Sequence, residues 1–297
     1  MAHRAGFVSI LGLPNAGKST LLNAFLGRRL SSVSPKPQTT RHRILGILNT
    51  PDAQAVFVDT PGWLEKAGDP LQEALRVQSK RAAREDADLA ILVVEPFKPA
   101  AADVAAIARL VPKGCPVLLA VNKADIARAQ EQLDGVAAAW TAAVKTAAVF
   151  TVSALKGMDV DALRAAVLER LPESPPFYDK DQLSDRWERF FASEFIREQI
   201  FAQYSAEIPH ACAVVIEEYK ETPRRDLVWA TVHVERESQK GILIGKNGEA
   251  LKKLSERAEA AIASFTGRKA VLELWVKVRK DWRKDLRALK EFGYLDG

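Results

Sequence analysis

Eight consecutive residues, Gly12-Leu13-Pro14-Asn15-Ala16-Gly17-Lys18-Ser19, carry the spacing G-x-x-x-x-G-K-[ST]. In that pattern the glycines let the chain turn tightly enough for backbone N–H groups to face phosphate oxygens. Lys18 can reach terminal phosphates and Ser19 can offer a hydroxyl to magnesium. Thr20 opens a helical run whose N-terminus adds a positive dipole end. A plain glycine turn between strand and helix is the alternative. The flanks argue against it, because 5–11 reads as a buried apolar strand and 20–26 as a helix. The loop indicates a nucleotide without saying which one.

Four further groups follow in the order such a site needs. The polar stretch 31–41, broken by Pro35 and Pro37, fits no helical or strand period. It reads as a switch whose Thr40, preferred over Thr39, meets magnesium and the γ-phosphate; a plain surface loop is the other reading. The apolar run 55–58 leads into Asp59-Thr60-Pro61-Gly62, with Asp59 41 residues after Lys18. An aspartate at a strand end suits phosphate-bound magnesium, and Gly62 leaves an N–H able to approach the γ-phosphate. The run 117–121 ends in Asn122-Lys123-Ala124-Asp125. The Asp125 carboxylate can accept from both N1–H and the 2-amino group of guanine. Adenine offers neither donor there, and a buried carboxylate left unpaired is costly. Asn122 can meet the base edge or tie loops together, while the Lys123 stem lies along the ring. A short strand over 149–152 then leads to Ser153-Ala154-Leu155, where the Ala154 N–H can meet the guanine oxygen. This last motif is the least specific, since any strand-to-loop connection resembles it.

A different chemistry is indicated further along. Residues 240–254 read KGILIGKNGEALKKL, in which Ile242-Leu243-Ile244 is expected to pack inside. Gly245-Lys246-Asn247-Gly248 is expected to turn, and a helix to run from Glu249 to about 265. The order helix, strand, strand, G-x-x-G, helix, strand is similar to the K-homology fold in its type II arrangement. In such domains the glycine turn lies against the sugar–phosphate backbone of about four unpaired nucleotides, with Lys246 and Lys252 supplying charge. Residues 268–290 hold nine basic and three acidic residues, among them Arg268, Lys269, Arg279 and Lys280, with Trp275 and Trp282 interleaved. Collectively they read as a phosphate-attracting edge beside the turn. The bland reading is a solvated face with core tryptophans.

The elements that must position these groups divide in two. At 297 residues the chain is long enough for two cores. Strands alternating with helices up to a helix at 160–171 indicate a doubly wound α/β sheet with its ligand at the strand ends. Three prolines within 172–176 then break the pattern and read as a semi-rigid spacer. The expected division is 1–172, a linker at 173–183, and an α+β domain at 184–297. In the latter, 184–207 reads as an amphipathic helix with Trp187, Phe190, Phe191, Phe195, Ile196 and Ile200 near one side. Net charge is +5, which mildly favours polyanionic partners, although neither half is strongly basic as a whole. No apolar run reaches the ~18 residues of a membrane span, and the apolar start reads as a strand rather than a signal peptide. Cys115 and Cys212 lack metal or redox spacing and are expected as reduced, buried thiols of a cytosolic protein.

GLPNAGKS, TTR, DTPG, NKAD and SAL, in this order, resemble the guanine-nucleotide motifs of translation-factor-related small GTPases with a Ras-like P-loop domain. One such domain followed by one type II K-homology domain is similar to the Era family of bacterial GTPases, and the likeness covers nearly the whole chain. It implies GTP and GDP as ligands, Mg2+ held by Ser19, Thr40 and Asp59, and catalytic parts for Lys18, Thr40 and Gly62. In Ras-like GTPases the residue after the D-x-x-G glycine is a glutamine that orients water. Here it is Trp63, so slow hydrolysis is implied. Some similar proteins hold K+ through an asparagine at the position of Asn15. The family further implies binding to the 3′ end of 16S rRNA, action in 30S subunit assembly, and partial peripheral association with the inner membrane. A monomer is expected. A P-loop ATPase or kinase, another ribosome-associated GTPase with a different RNA target, and an RNA-binding assembly protein without GTP turnover are the other classes open at this point.

Overall fold

Strands β3 (Ala53–Asp59), β4 (Leu89–Val94) and β5 (Val117–Val121) are buried along their whole length, as expected of a sheet covered on both faces. The computed structural model describes residues 2–33, 36, 40–59, 61–63, 67–84, 87–112 and 114–295. It divides into two compact units. The first takes Met1–Ser31, Thr40–Ala67 and Leu75–Asp185; the second takes Ser32–Thr39, Gly68–Ala74 and Arg186–Gly297.

The first unit carries a six-stranded sheet in the order β2-β3-β1-β4-β5-β6, with β1 at Arg4–Leu11, β2 at Ile44–Asn49 and β6 at Ala148–Thr151. Only β2 runs antiparallel. Side chains alternate across the sheet, so its two faces bury different sets. Val8, Ile10, Ile91 and Leu118 pack with Leu21, Leu22 and Phe25 of α1 (Lys18–Leu26) and with Leu163 and Val167 of α5 (Val160–Glu169). Leu11, Leu92 and Leu119 pack with Ile107 of α3 (Ala101–Ala108) and with Val136 and Trp140 of α4 (Gln130–Thr141). Helix α2 spans Pro70–Arg84. The sheet is therefore doubly wound, and the C-terminal ends of its parallel strands bring Gly12, Asp59, Glu95, Asn122 and Ser153 to one edge.

The proline-rich segment 173–183 is not a spacer. Gln54, fully buried, accepts from the N–H groups of Phe177 and Tyr178 and donates to the Tyr178 carbonyl at 2.8 Å. Leu183 accepts from the Ile47 N–H at 2.9 Å, and Ser184 donates to the Leu45 carbonyl. Prolines remove helix without removing hydrogen-bond acceptors, and these straps run along the first unit as far as Asp185.

The second unit is built on a three-stranded sheet, β7 (Ala213–Glu221), β8 (Arg225–Val234) and β9 (Lys269–Val278), with β8–β9 parallel. Helices α6 (Glu188–Gln203), α7 (Ile208–Ala211), α8 (Glu237–Ile244), α9 (Glu249–Thr266) and α10 (Leu286–Glu291) complete it. Helix α6 is shorter than its periodicity suggests, and Trp187, at its N-cap, is 84% exposed. Its buried face holds Glu194, Arg197 and Glu198 beside the aromatics, with Arg197 Nε donating to Glu194 at 3.1 Å. Residues 32–36 of the same unit lie on this helix: Ser32 donates to the Glu194 carbonyl and the Val33 N–H to Glu198. Lys36 reaches the Phe201 and Tyr204 carbonyls. Ile242-Leu243-Ile244 belongs to a helix, so only Leu243 is fully buried while Ile242 is exposed. Among the described residues no helix is long and apolar enough to cross a membrane.

The two tryptophans of the basic stretch play different parts. Trp282 is fully buried, donates to the Ala211 carbonyl at 2.8 Å and packs against Phe292 and Tyr294. Trp275 lies on the open side of β9. In urea unfolding, Trp282→Ala is expected to cost about 3–5 kcal/mol and Trp275→Ala less than about 1 kcal/mol. Equal costs would contradict this division.

Candidate functional site: a phosphate loop and a glycine turn

Between β1 and α1 the loop takes positive φ at Gly12, Asn15 and Gly17. A Cβ on Gly17 would stand 2.2 Å from Asn122 Nδ2, so only glycine lets the loop pass this side chain. Asn122 is 2% exposed and does three things. Its Nδ2 donates to the Ala16 carbonyl at 2.9 Å, its Oδ1 accepts from the Ala154 N–H at 2.9 Å, and its N–H donates to Val94 at 2.8 Å. The side-chain amide thereby joins the phosphate loop to the loop after β6, and the backbone of the same residue ties both to the end of β4.

Lys18 is buried, and its ammonium donates to the carbonyls of Gly12 at 3.1 Å and Leu13 at 2.8 Å. Burial lowers its pKa to about 8, opposed by the charges of Asp59 and Glu95. The three oxygen donors named for magnesium come together. Ser19 Oγ donates to Asp59 Oδ2 at 2.8 Å, which leaves the Thr40 hydroxyl to donate to Ser19 at 2.9 Å. Two hydroxyls and a carboxylate are hard oxygen ligands of the kind that magnesium takes beside phosphate oxygens. Gly62 lies directly against Pro14 of the loop, and Trp63 packs on the apolar cluster around Leu11 and Trp140. Thr60, Thr39 and Pro35 fall outside the described residues.

At the base-reading end, Asp125 is exposed and accepts from Ser153 Oγ at 2.5 Å. It is an accessible carboxylate rather than a buried one, already aimed by Ser153. The Ala154 N–H, expected to face guanine, is instead committed to Asn122. Leu155 is 73% exposed. Lys123 sits at φ 60° and pairs with Glu95. Neither Glu95 nor the Ser153–Asp125 link was legible from the motifs, because neighbouring strands, not sequence proximity, bring these groups together.

In the second unit Gly245, Asn247 and Gly248 all have positive φ, and residues 246–248 form one tight turn before α9. A Cβ on Gly245 would meet Ala250 at 2.6 Å. Lys246, Asn247 and Lys252 are exposed at this turn and in the first turn of α9. The basic stretch behaves differently from a continuous edge. Helix α9 has 18 residues, so at ~1.5 Å per residue Arg268 and Lys269 lie about 27 Å along it from the turn. Arg268 is moreover tied to buried Asp226 at 2.7 Å and to Glu188. Strand β9 returns toward the turn, but Arg279 there is paired with Glu291 at 2.6 Å. Arg283 is paired with Glu235 at 2.9 Å and Asp69 at 3.4 Å. Lys269, Lys277, Lys280, Lys284, Arg287 and Lys290 remain exposed.

Comparison with known proteins agrees with both units. Residues 7–123 match the family described as 50S ribosome-binding GTPase, and residues 207–283 match the KH domain. GTPase Era of Pseudomonas aeruginosa (strain LESB58) is 43% identical over 99% of this chain and 96% of its own length. GTPase Era of Carboxydothermus hydrogenoformans is 40% identical over 100% of this chain and 99% of its own. Among solved structures, a single-site variant of Aquifex aeolicus Era bound to GDP·AlF4− superposes with a TM-score of 0.92 at 34% identity, covering 99% and 100% of the two chains. An Era complex with MgGDPNP and nucleotides 1506–1542 of 16S ribosomal RNA gives 0.91 at 34% identity, with the same coverage. With relatives this similar along the full length, the chain belongs to the Era family of GTPases, a GTP-hydrolysing domain followed by a KH domain.

Proposed function

We propose that this GTPase is a slow switch whose second unit binds unpaired RNA at the 3′ end of 16S rRNA, acting in assembly of the 30S subunit. The observation that carries the reading is the convergence of Ser19, Thr40 and Asp59 beside Lys18, on a chain that also presents the Gly245–Gly248 turn. The RNA assignment leans on the 16S rRNA fragment held by a relative of the same fold.

In this reading the backbone from Gly12 to Thr20 and the Lys18 ammonium take the phosphates, and Pro61 and Gly62 close on the γ-phosphate side. Ser19, Thr40 and Asp59 would hold magnesium, which neutralises charge developing between the β- and γ-phosphates. Asp125, aimed by Ser153, accepts from guanine, while Leu155 stands over the open side of that loop. Trp63 offers no side-chain carbonyl to align the attacking water, which accounts for a slow intrinsic rate. Asn15, already in the left-handed conformation, would contribute an oxygen to a potassium ion. Equal hydrolysis rates in sodium and potassium would remove that part.

Thr40 follows Lys36 by four residues, and Lys36, Val33 and Ser32 are bonded to α6. Drawing Thr40 toward a γ-phosphate therefore pulls on a segment that belongs to the RNA-binding unit. RNA affinity changes with nucleotide state, and by linkage RNA changes nucleotide affinity by the same factor. The exposed lysines 280, 284 and 290 with Arg287 add long-range attraction for phosphate, and also serve peripheral contact with an anionic inner membrane. The protein acts as a monomer in the cytoplasm.

Two measurements test this. With a 16S 3′-end oligonucleotide, four neutralised phosphates give log affinity against log salt a slope of about −3, and a GTP analogue and GDP give different affinities. A flat slope removes the RNA reading; identical affinities remove the coupling alone. For Lys18, a phosphate partner restores the charge that burial lowers. At pH 7 the free protein is already protonated there and GDP binding moves little proton from this group. At pH 9 it is mostly neutral, so binding takes up a proton there and affinity falls as the pH rises above about 8. Calorimetry in buffers of different ionisation enthalpy reads that uptake, and none at pH 9 would contradict it.

A further inference from the structure

Glu95 follows β4 and lies in none of the motifs. Its Oε1 stands 2.5 Å from Lys123 Nζ, with both side chains about one-third exposed. An isolated surface pair of this kind contributes little. This one is fixed from both sides. Val94, just before it, accepts the Asn122 N–H at 2.8 Å. Pro96, just after it, accepts from Gln132 Nε2, and the Gln132 Oε1 accepts the Arg128 N–H at 3.1 Å. The carboxylate is thus carried on a short bridge between the end of β4 and the segment that follows the base-reading motif.

Lys123 is constrained as well. Its φ of 60° is a conformation that few residues other than glycine, asparagine and aspartate adopt. The backbone sets where the stem starts and Glu95 sets where it ends. Glu95 also lines, with Leu13 and Ala16 of the phosphate loop, a cavity of about 150 Å3. The stem therefore runs from the base-reading loop to the carboxylate that follows β4, fixed at both ends.

We propose that Glu95 is a positioning residue for guanine nucleotides: it anchors the Lys123 ammonium so that the aliphatic stem is pre-set as the surface on which the base lies. This rests on the guanine reading above. A free lysine would have to be ordered at each binding event, and that cost falls mainly on the residence time of the nucleotide.

The test is release of a fluorescent GDP from wild type, Glu95→Ala, Glu95→Gln, Lys123→Ala and the Glu95→Ala/Lys123→Ala double variant. Tripolyphosphate affinity is measured alongside as a probe of the phosphate loop alone. The expected result is release about tenfold faster in both Glu95 variants, the scale of one hydrogen bond to a charged group, with tripolyphosphate affinity not reduced when read at pH 6, where Lys18 stays charged without the help of Glu95. In the Lys123→Ala background, removing Glu95 adds nothing. Release within about twofold of wild type would overturn the proposal, as would a parallel loss of tripolyphosphate affinity or a full Glu95 effect without Lys123. Wild-type protein holding ADP as tightly as GDP would instead sink the guanine reading, and this proposal with it.

Discussion

The nucleotide site depends on one buried amide. Asn122 has no room for another side chain at Gly17, and it spends its donor on the phosphate loop and its acceptor on the loop after β6. Each bond is between a buried group and a backbone atom, so removing the side chain would strand partners in a place where water cannot replace it. Phosphate recognition and base recognition are consequently not two sites that happen to lie close. They share one joint, at the one edge of the sheet where every parallel strand ends.

The same physics appears twice in the chain. In both units a glycine-containing turn with positive φ leads into the first turn of a helix, at Gly17 before α1 and at Gly248 before α9. Each leaves backbone N–H groups facing outward at the positive end of a helix. The first is deep, with Lys18 buried and its pKa depressed; the second is shallow, with Lys246 and Asn247 in solvent. A deep pocket suits a triphosphate held for a chemical step. A shallow turn suits a polymer backbone that must lie across it and leave.

Much of this was legible in the sequence, and the remainder failed for identifiable reasons. The phosphate loop, Asp59, Asn122 and the glycine turn were readable because their chemistry depends on residues next to one another. Strands were readable where apolar runs were continuous, as over 117–121, which the structure reproduces as β5. What escaped was everything that depends on register between strands. Arg225 pairs with Lys269 and Asp226 with Ala270 in β8–β9, which brings Arg268 to Asp226 and gives that residue an internal ion pair the sequence did not reveal. Glu95 reaches Lys123 only because β4 and β5 are neighbours. Proline content suggested a semi-rigid spacer, yet a buried glutamine from β3 collects its backbone. Periodicity could not tell Trp282, a core residue, from Trp275, a surface one, because both lie among lysines and arginines.

If a single side chain joins the two halves of the site, an Asn122→Ala variant that still melts cooperatively should lose affinity for GDP and for tripolyphosphate together, GDP by about a hundredfold, from two buried hydrogen bonds. Titration of both ligands into that variant is the most direct measurement. Loss of GDP affinity with tripolyphosphate untouched, or no loss of either, would contradict the account.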